Sequence, residues 1–125
     1  MNVKIDTKEK FVVIAPLDPD LTANMTEELT DMLLNYLQKD IPHLVLKMSA
    51  VEKIDETACE KLAAVQQKFY EENCSFVICE LTPEVEQLLD EKELLEIMNV
   101  TPTESEAWDI VQMEEIEREL MDGTE

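Results

Sequence analysis

The sequence predicts one α/β domain, a single sheet with helices packed on it, and three observations carry that prediction. Short apolar or β-branched runs at residues 11–15, 44–46 and 75–80 have the length of strands covered on both faces. Between them lie stretches whose apolar residues recur three and four apart, the stripe of an amphipathic helix. The connections are short, and no repeat or linker divides the 125 residues, which fit one domain with a modest core.

In chain order, residues 3–6 are expected as a short first strand and residues 7–10 as a turn. Residues 11–15 form the next strand, which Pro16 stops, and residues 17–20 form a loop. A helix follows with Met25, Leu29, Met32, Leu33 and Tyr36 on one face. Thr22 or Asn24 caps it, Asn24 having Glu27 three residues on, and residues 39–42 end it at Pro42. Leu44, Val45 and Leu46 are a buried strand, and Ala58, Leu62, Val65 and Phe69 are the stripe of the helix after it. Ile54-Asp55-Glu56-Thr57 makes the crossing, with Asp55 or Thr57 as N-cap and Thr57-Ala58-Cys59-Glu60 spelling a capping box. The unpaired first-turn amides of that helix favour an anion or a capping oxygen.

Residues 75–80 are the third buried strand. Thr82 is then an N-cap with Pro83 at the first helical position, and Val85, Leu88 and Leu89 face inward. Residues 94–98 are expected to hold a short turn and a last strand. Thr103-Glu104-Ser105-Glu106 is a second capping box, opening a helix through Ala107, Ile110, Val111 and Leu120. The acidic stretch from Glu114 extends this helix or frays from it, so the expected division is a domain at 1–112 and an acidic helical extension or tail at 113–125.

Composition removes several function classes. The 30 acids against 10 bases leave a net charge of −20, a surface that repels phosphate backbones and anionic lipids and speeds encounter with a basic protein. No nucleic-acid partner and no direct membrane insertion are expected. The run at 11–15 is too short for a signal-peptide core or a membrane span. Three cysteines without framework spacing suit a reducing cytoplasm, the expected location. Cys74 and Cys79, five apart in one strand, point to opposite faces and do not clamp a metal. The one glycine, Gly123, sits near the end, so no glycine-rich phosphate loop exists. The one histidine, His43, gives a metal site or a Ser-His-Asp relay little material and reads as a strand-edge residue. Trp108 is expected to cover a sheet edge. No catalytic residue, metal ligand or cofactor is expected.

The order of these pieces resembles the STAS domain, the fold of bacterial anti-sigma factor antagonists. In that family a hydrophobic strand leads into Asp-Ser-Ser/Thr-Gly at the start of a helix. Here the matching residues are Ile54-Asp55-Glu56-Thr57-Ala58. Phe11-Val12-Val13-Ile14 with Leu17-Asp18 resembles the second strand and its Leu-Asp turn, and His43-Leu44-Val45-Leu46 the strand before the site. Phe76-Val77-Ile78 with Thr82-Pro83-Glu84-Val85 resembles the strand, turn and helix that follow, and Glu106-Ala107 the opening of the last helix. The resemblance implies a mixed, mostly parallel sheet of four to five strands with about four helices, mainly on one face.

It also implies a non-catalytic regulatory module whose partner is an anti-sigma factor that is itself a serine-protein kinase. The partner-binding residues it points to are Asp18, Asp55, Glu56, Thr57, Ala58 and Cys59. In the family the Ser after the Asp is phosphorylated; Glu56 stands there instead, and Ala58 replaces the following Gly. A carboxylate forms no stable phosphate ester but fixes a negative charge at the helix start, so serine phosphoregulation is expected to be lost. Thr57 is a substitute acceptor that ranks last, its oxygen being a candidate cap. Lys47 replaces an Asp or Asn common in the preceding strand. The alternative function is that of a STAS subunit of a transport or lipid- or small-ligand-handling assembly. Edge strands permit a monomer or a weak homodimer.

Overall fold

The structure, a computed structural model, describes residues 2–41 and 43–122. Its frame is a five-stranded sheet ordered β1 (Val3–Thr7), β2 (Val12–Pro16), β4 (Leu44–Lys47), β6 (Phe76–Cys79), β7 (Val100–Thr101). β1 pairs antiparallel with β2, and every other pairing in this sheet is parallel. The two remaining strands, β3 (Asp20–Leu21) and β5 (Lys53–Ile54), form a separate parallel ribbon.

The period of two in the central strands sorts their side chains between two cores. Val12, Ile14, Leu44, Leu46, Phe76 and Ile78 face one side. There they meet α1 (Ala23–Asn35) through Leu29 and Leu33, α2 (Glu56–Glu71) through Leu62, Val65 and Phe69, and α3 (Pro83–Glu91) through Val85 and Leu89. Phe11, Val13, Val45, Val77 and Cys79 face the other side, where Ala107 and Val111 of α4 (Glu104–Asp122) cover them. Three helices on one face and one on the other match the arrangement the sequence implied. Cys74 and Cys79 do pack on opposite faces.

No glycine closes α2 or α3. α2 and α3 close instead with Asn73 (φ 59°) and Glu93 (φ 60°) in the left-handed region. The following amides reach back over the last turn, Cys74 N–H to Phe69 O at 2.9 Å and Leu94 N–H to Leu89 O at 2.9 Å.

One local expectation needs correction, and three others become specific. The last strand is Val100–Thr101 and not within 94–98: Leu94, Leu95 and Met98 pack on the core from a turn, which carries the same apolar residues as a strand would. Of the two candidate caps of α1, Thr22 takes the role, its hydroxyl accepting the Met25 N–H at 3.3 Å. Thr82 sits at the N-cap of α3 but spends its hydroxyl on the Val51 carbonyl, 2.8 Å away. Trp108 stacks on Phe11, just before β2, ring centroids 4.8 Å apart, and packs against the core on the α4 side of the sheet. The second capping position holds, with Thr103 Oγ1 accepting the Glu106 N–H at 3.2 Å. α4 runs past residue 112 without a break. Pro42 and Gly123, and the end of the tail at 123–125, lie outside the described residues.

Candidate functional site

The site is assembled where the parallel strands end. Leaving β4, the chain turns at Met48, whose N–H bonds Cys79 O at 3.0 Å and whose carbonyl accepts the Val51 N–H at 3.0 Å. Val51 is fully buried and is held by Thr82 from the start of α3. The chain then enters β5, and the ribbon with β3 brings the loop after β2 against it. Pro19 O accepts the amides of Glu52 (2.7 Å) and Lys53 (3.0 Å), and Leu21 O accepts that of Asp55 (3.2 Å). Two segments far apart in sequence therefore meet at one end of the sheet.

Asp55 opens α2. Its backbone is extended (φ −71°, ψ 148°), and its Oδ1 accepts the Thr57 N–H at 2.8 Å. This settles the choice that the sequence left open: the cap is Asp55, Thr57 lies inside the first turn, and no capping box starts at Thr57. The reason is steric order, since the ribbon fixes Asp55 extended and leaves Glu56 as the first helical residue. The Thr57 hydroxyl is thus free of any capping role, and the side chain is exposed.

Glu56 projects into solvent from the positive end of the helix, its side chain 76% exposed. Its Oε2 lies 3.7 Å from Lys92 Nζ, and Glu60 Oε1 lies 3.7 Å from the same ammonium. Lys92 follows α3 as its C-cap residue. The sequence carried no signal of this pairing, because only the packing of α3 beside the turn brings Lys92 to Glu56.

The other residues that the sequence pointed to divide. Ala58 and Cys59 are fully buried and seat the turn on the core, so their side chains present nothing to a partner. Burial pushes the Cys59 thiol up to about 11, with Glu56 and Asp55 adding to the effect and Lys92 opposing it. Asp18 is half-buried and holds the start of the chain, its Oδ2 accepting the Asn2 N–H at 3.1 Å while Leu17 N–H bonds Asn2 O at 2.9 Å. Lys47, at the end of β4, lies 3.8 Å from both Glu80 Oε2 and Glu104 Oε1. The exposed residues of the turn and its ribbon include Asp20, Lys53, Asp55, Glu56, Thr57 and Glu60, with Leu17 on the loop after β2. Among the described residues no cluster of His, Cys, Asp and Glu is arranged to hold a metal ion, and no helix is long and apolar enough to cross a membrane.

Comparison with known proteins places this architecture. The family model of the STAS domain matches residues 2–107. A Thermotoga maritima protein described as an anti-sigma factor antagonist superposes with a TM-score of 0.80 at 20% identity, over 88% of this chain and 94% of its own. A serine-to-glutamate variant of RsbS from Moorella thermoacetica superposes with a TM-score of 0.70 at 20% identity, over 90% and 96%. The murine anion transporter Slc26a9 contains the same fold, with a TM-score of 0.65 at 16% identity, over 83% of this chain and 18% of that one. At such identities these likenesses concern the fold alone. No curated protein matches the sequence.

Proposed function

The chain belongs to the STAS domain family, and on that premise we propose that it is a non-catalytic, cytoplasmic regulatory module that resembles an anti-sigma factor antagonist. It docks a kinase-type anti-sigma factor through the turn Asp55-Glu56-Thr57. One observation carries this reading: Glu56 and Thr57 stand exposed on the first turn of α2, on a rim whose backbone is pinned by Asp55 and by the β3–β5 ribbon. A rigid, exposed turn suits recognition, because a partner has no loop to order on binding.

Glu56 supplies a permanent charge where relatives toggle a hydroxyl. A phosphoserine carries about −1.5 to −2, so a glutamate imitates about half of it. Serine phosphoregulation is lost at position 56, and Thr57 is the one hydroxyl left in the turn. Asp18 serves indirectly, by holding the neighbouring loop.

The test is the affinity of wild type, Glu56→Ser and Glu56→Lys for kinase-type anti-sigma factors, with intact-protein mass spectrometry after incubation with kinase and ATP. Charge reversal is expected to change binding by about tenfold or more. Wild type is expected to gain no phosphate at position 56, and Glu56→Ser to gain one there. A partner that binds all three proteins equally places the docking face elsewhere. An unchanged mass for the serine variant counts against a matching kinase.

A further inference from the structure

α4 reverses its amphipathic sense halfway along. In its first half Ala107 and Val111 are buried against the sheet, and Glu106 and Asp109 face water. In its second half the inward positions are polar: Glu114 Oε2 accepts from Asn99 Nδ2 at 3.2 Å, and Arg118 Nη2 donates to Ser75 Oγ at 3.2 Å. The apolar residues there point outward instead, with Met113 59%, Ile116 55% and Leu120 66% exposed. Their spacing of three and four places them on one line of the helix surface, about 10 Å long. Scattered exposed apolar residues need no explanation, but a seam at helical spacing does.

We infer that Met113, Ile116 and Leu120 form a docking seam for a cationic amphipathic helix of a partner protein. The flanks of the seam choose this occupant. Glu117 borders one side and Glu119 the other, while Glu115, further round the helix, lies 3.9 Å from Lys10 Nζ. The one base in α4, Arg118, is turned inward to Ser75. A second copy of the chain would bring the same acids face to face across the seam, which like-charge repulsion disfavours. A bilayer surface asks for Lys and Arg on the polar face of such a helix, and here that face is acidic. A partner helix with apolar residues three and four apart, flanked by Lys or Arg, meets both the seam and its rim. Beside Ile116 a shallow hollow lined by Trp108, Gln112, Glu119 and the Lys10–Glu115 pair offers room for one apolar anchor side chain. The half of α4 that carries the seam packs by its inward side on Ser75 and Asn99, which precede β6 and β7, whereas the turn at Glu56 lies where the parallel strands end. The two surfaces are separate, and this inference stands independently of the proposed role of the turn.

The experiment uses the full chain and a fluorescent synthetic Leu/Lys amphipathic helix of about five turns, with a Leu/Glu peptide of the same apolar pattern as its counterpart. Because a chain of net charge −20 attracts any cationic peptide, dependence on the seam decides the matter. The double variant Ile116→Ser, Leu120→Ser is expected to bind the Leu/Lys peptide about tenfold more weakly or worse. The double variant Ile5→Ser, Ile97→Ser, which removes exposed apolar side chains elsewhere, is expected to stay within about twofold. Circular dichroism confirms that each variant is folded. Equal losses in both double variants, or none in either, overturn the inference, as does equal affinity for the Leu/Glu peptide. Sedimentation showing a dimer that only the seam variant dissociates assigns the seam to a second copy and overturns it too. Wild-type binding to anionic vesicles that is lost in the seam variant does the same for a membrane.

Discussion

Replacing Asp55 by Ala tests the residue from which α2 and its exposed turn are hung. The carboxylate accepts the Thr57 N–H at 2.8 Å and sits at the positive end of a 16-residue helix. Losing an N-cap acceptor costs about 1 kcal/mol, and losing a charge that complements the helix dipole adds about 0.3–1 kcal/mol. The expected destabilisation is therefore about 1–2 kcal/mol. At a urea dependence of about 1.5 kcal/mol per molar, the unfolding midpoint falls by about 0.7–1.3 M. Asp55→Asn keeps the acceptor and loses only the charge, so its cost is about 0.3–1 kcal/mol. Thr57→Ala removes a hydroxyl that takes no part in the cap and leaves the backbone donor in place, so its effect stays within about 0.5 kcal/mol either way. Urea unfolding followed by far-ultraviolet circular dichroism measures all three, with the emission of the single Trp108 as a second probe. Two results would refute the reasoning: Thr57→Ala as costly as Asp55→Ala, or Asp55→Asn as costly as Asp55→Ala.

Burial, together with the Arg118 guanidinium, holds the His43 imidazole below its ordinary 6.5, with Glu115 and Glu114 opposing, and its Nδ1 accepts the Ser75 N–H at 3.1 Å. The unfolded chain thus takes up this proton first. The stability that His43 contributes is complete above 6.5 and is lost as pH falls through 6.5 toward the folded value. A proton-NMR titration of this single histidine is expected to give a midpoint below 6.5, and a midpoint above it refutes the assignment. Burial pushes the thiols of Cys59 and Cys79 up to about 11 and about 12, while Cys74 is only half-buried. A thiol reagent at mildly alkaline pH should label Cys74 in the native chain and the other two only after urea; rapid labelling of all three contradicts the packing. Glu93 sits at φ 60°, so Glu93→Gly should raise stability by about 0.5–1 kcal/mol, and a lower urea midpoint would argue against the left-handed helix end.

The two-sided burial of Leu44, Val45 and Leu46 was legible in the sequence because a continuous apolar run has few other places to go. The stripe Ala58, Leu62, Val65 and Phe69 was legible because helical spacing leaves one inward face. What the sequence did not carry is pairing across distance. The ribbon between Asp20–Leu21 and Lys53–Ile54 is two residues long on each side, too short for any periodicity. The ion pairs of Lys92 with Glu56 and Glu60 exist only once α3 is packed. The last strand was misplaced because Leu94, Leu95 and Met98 are apolar for the sake of the core, whatever their backbone does. At the site, Asp55 and Thr57 both had cap chemistry, and only the ribbon's hold on the Asp55 backbone distinguishes them. The polar inner side of α4 after Val111 was equally hidden, because Asn99 and Ser75 supply its partners.

Lys92 bears on what the turn presents to another protein. Glu56 and Glu60 share one ammonium at 3.7 Å each, and both carboxylates are largely exposed. Exposed pairs of this kind contribute about 0–1 kcal/mol, and a cation divided between two carboxylates holds neither rigidly. Asp55, Glu56 and Glu60 outnumber Lys92 and the exposed Lys53, so the turn remains negative after the internal pairing is counted. An incoming Arg or Lys on a partner displaces Lys92 at a cost below about 1 kcal/mol, a factor of about five in affinity. That cost is small beside the effect of reversing a charge at an interface. The internal lysine therefore tempers the fixed charge of Glu56 without cancelling it. On the proposed docking role, that surface is tuned by the residue that follows α3, well away in sequence from the turn.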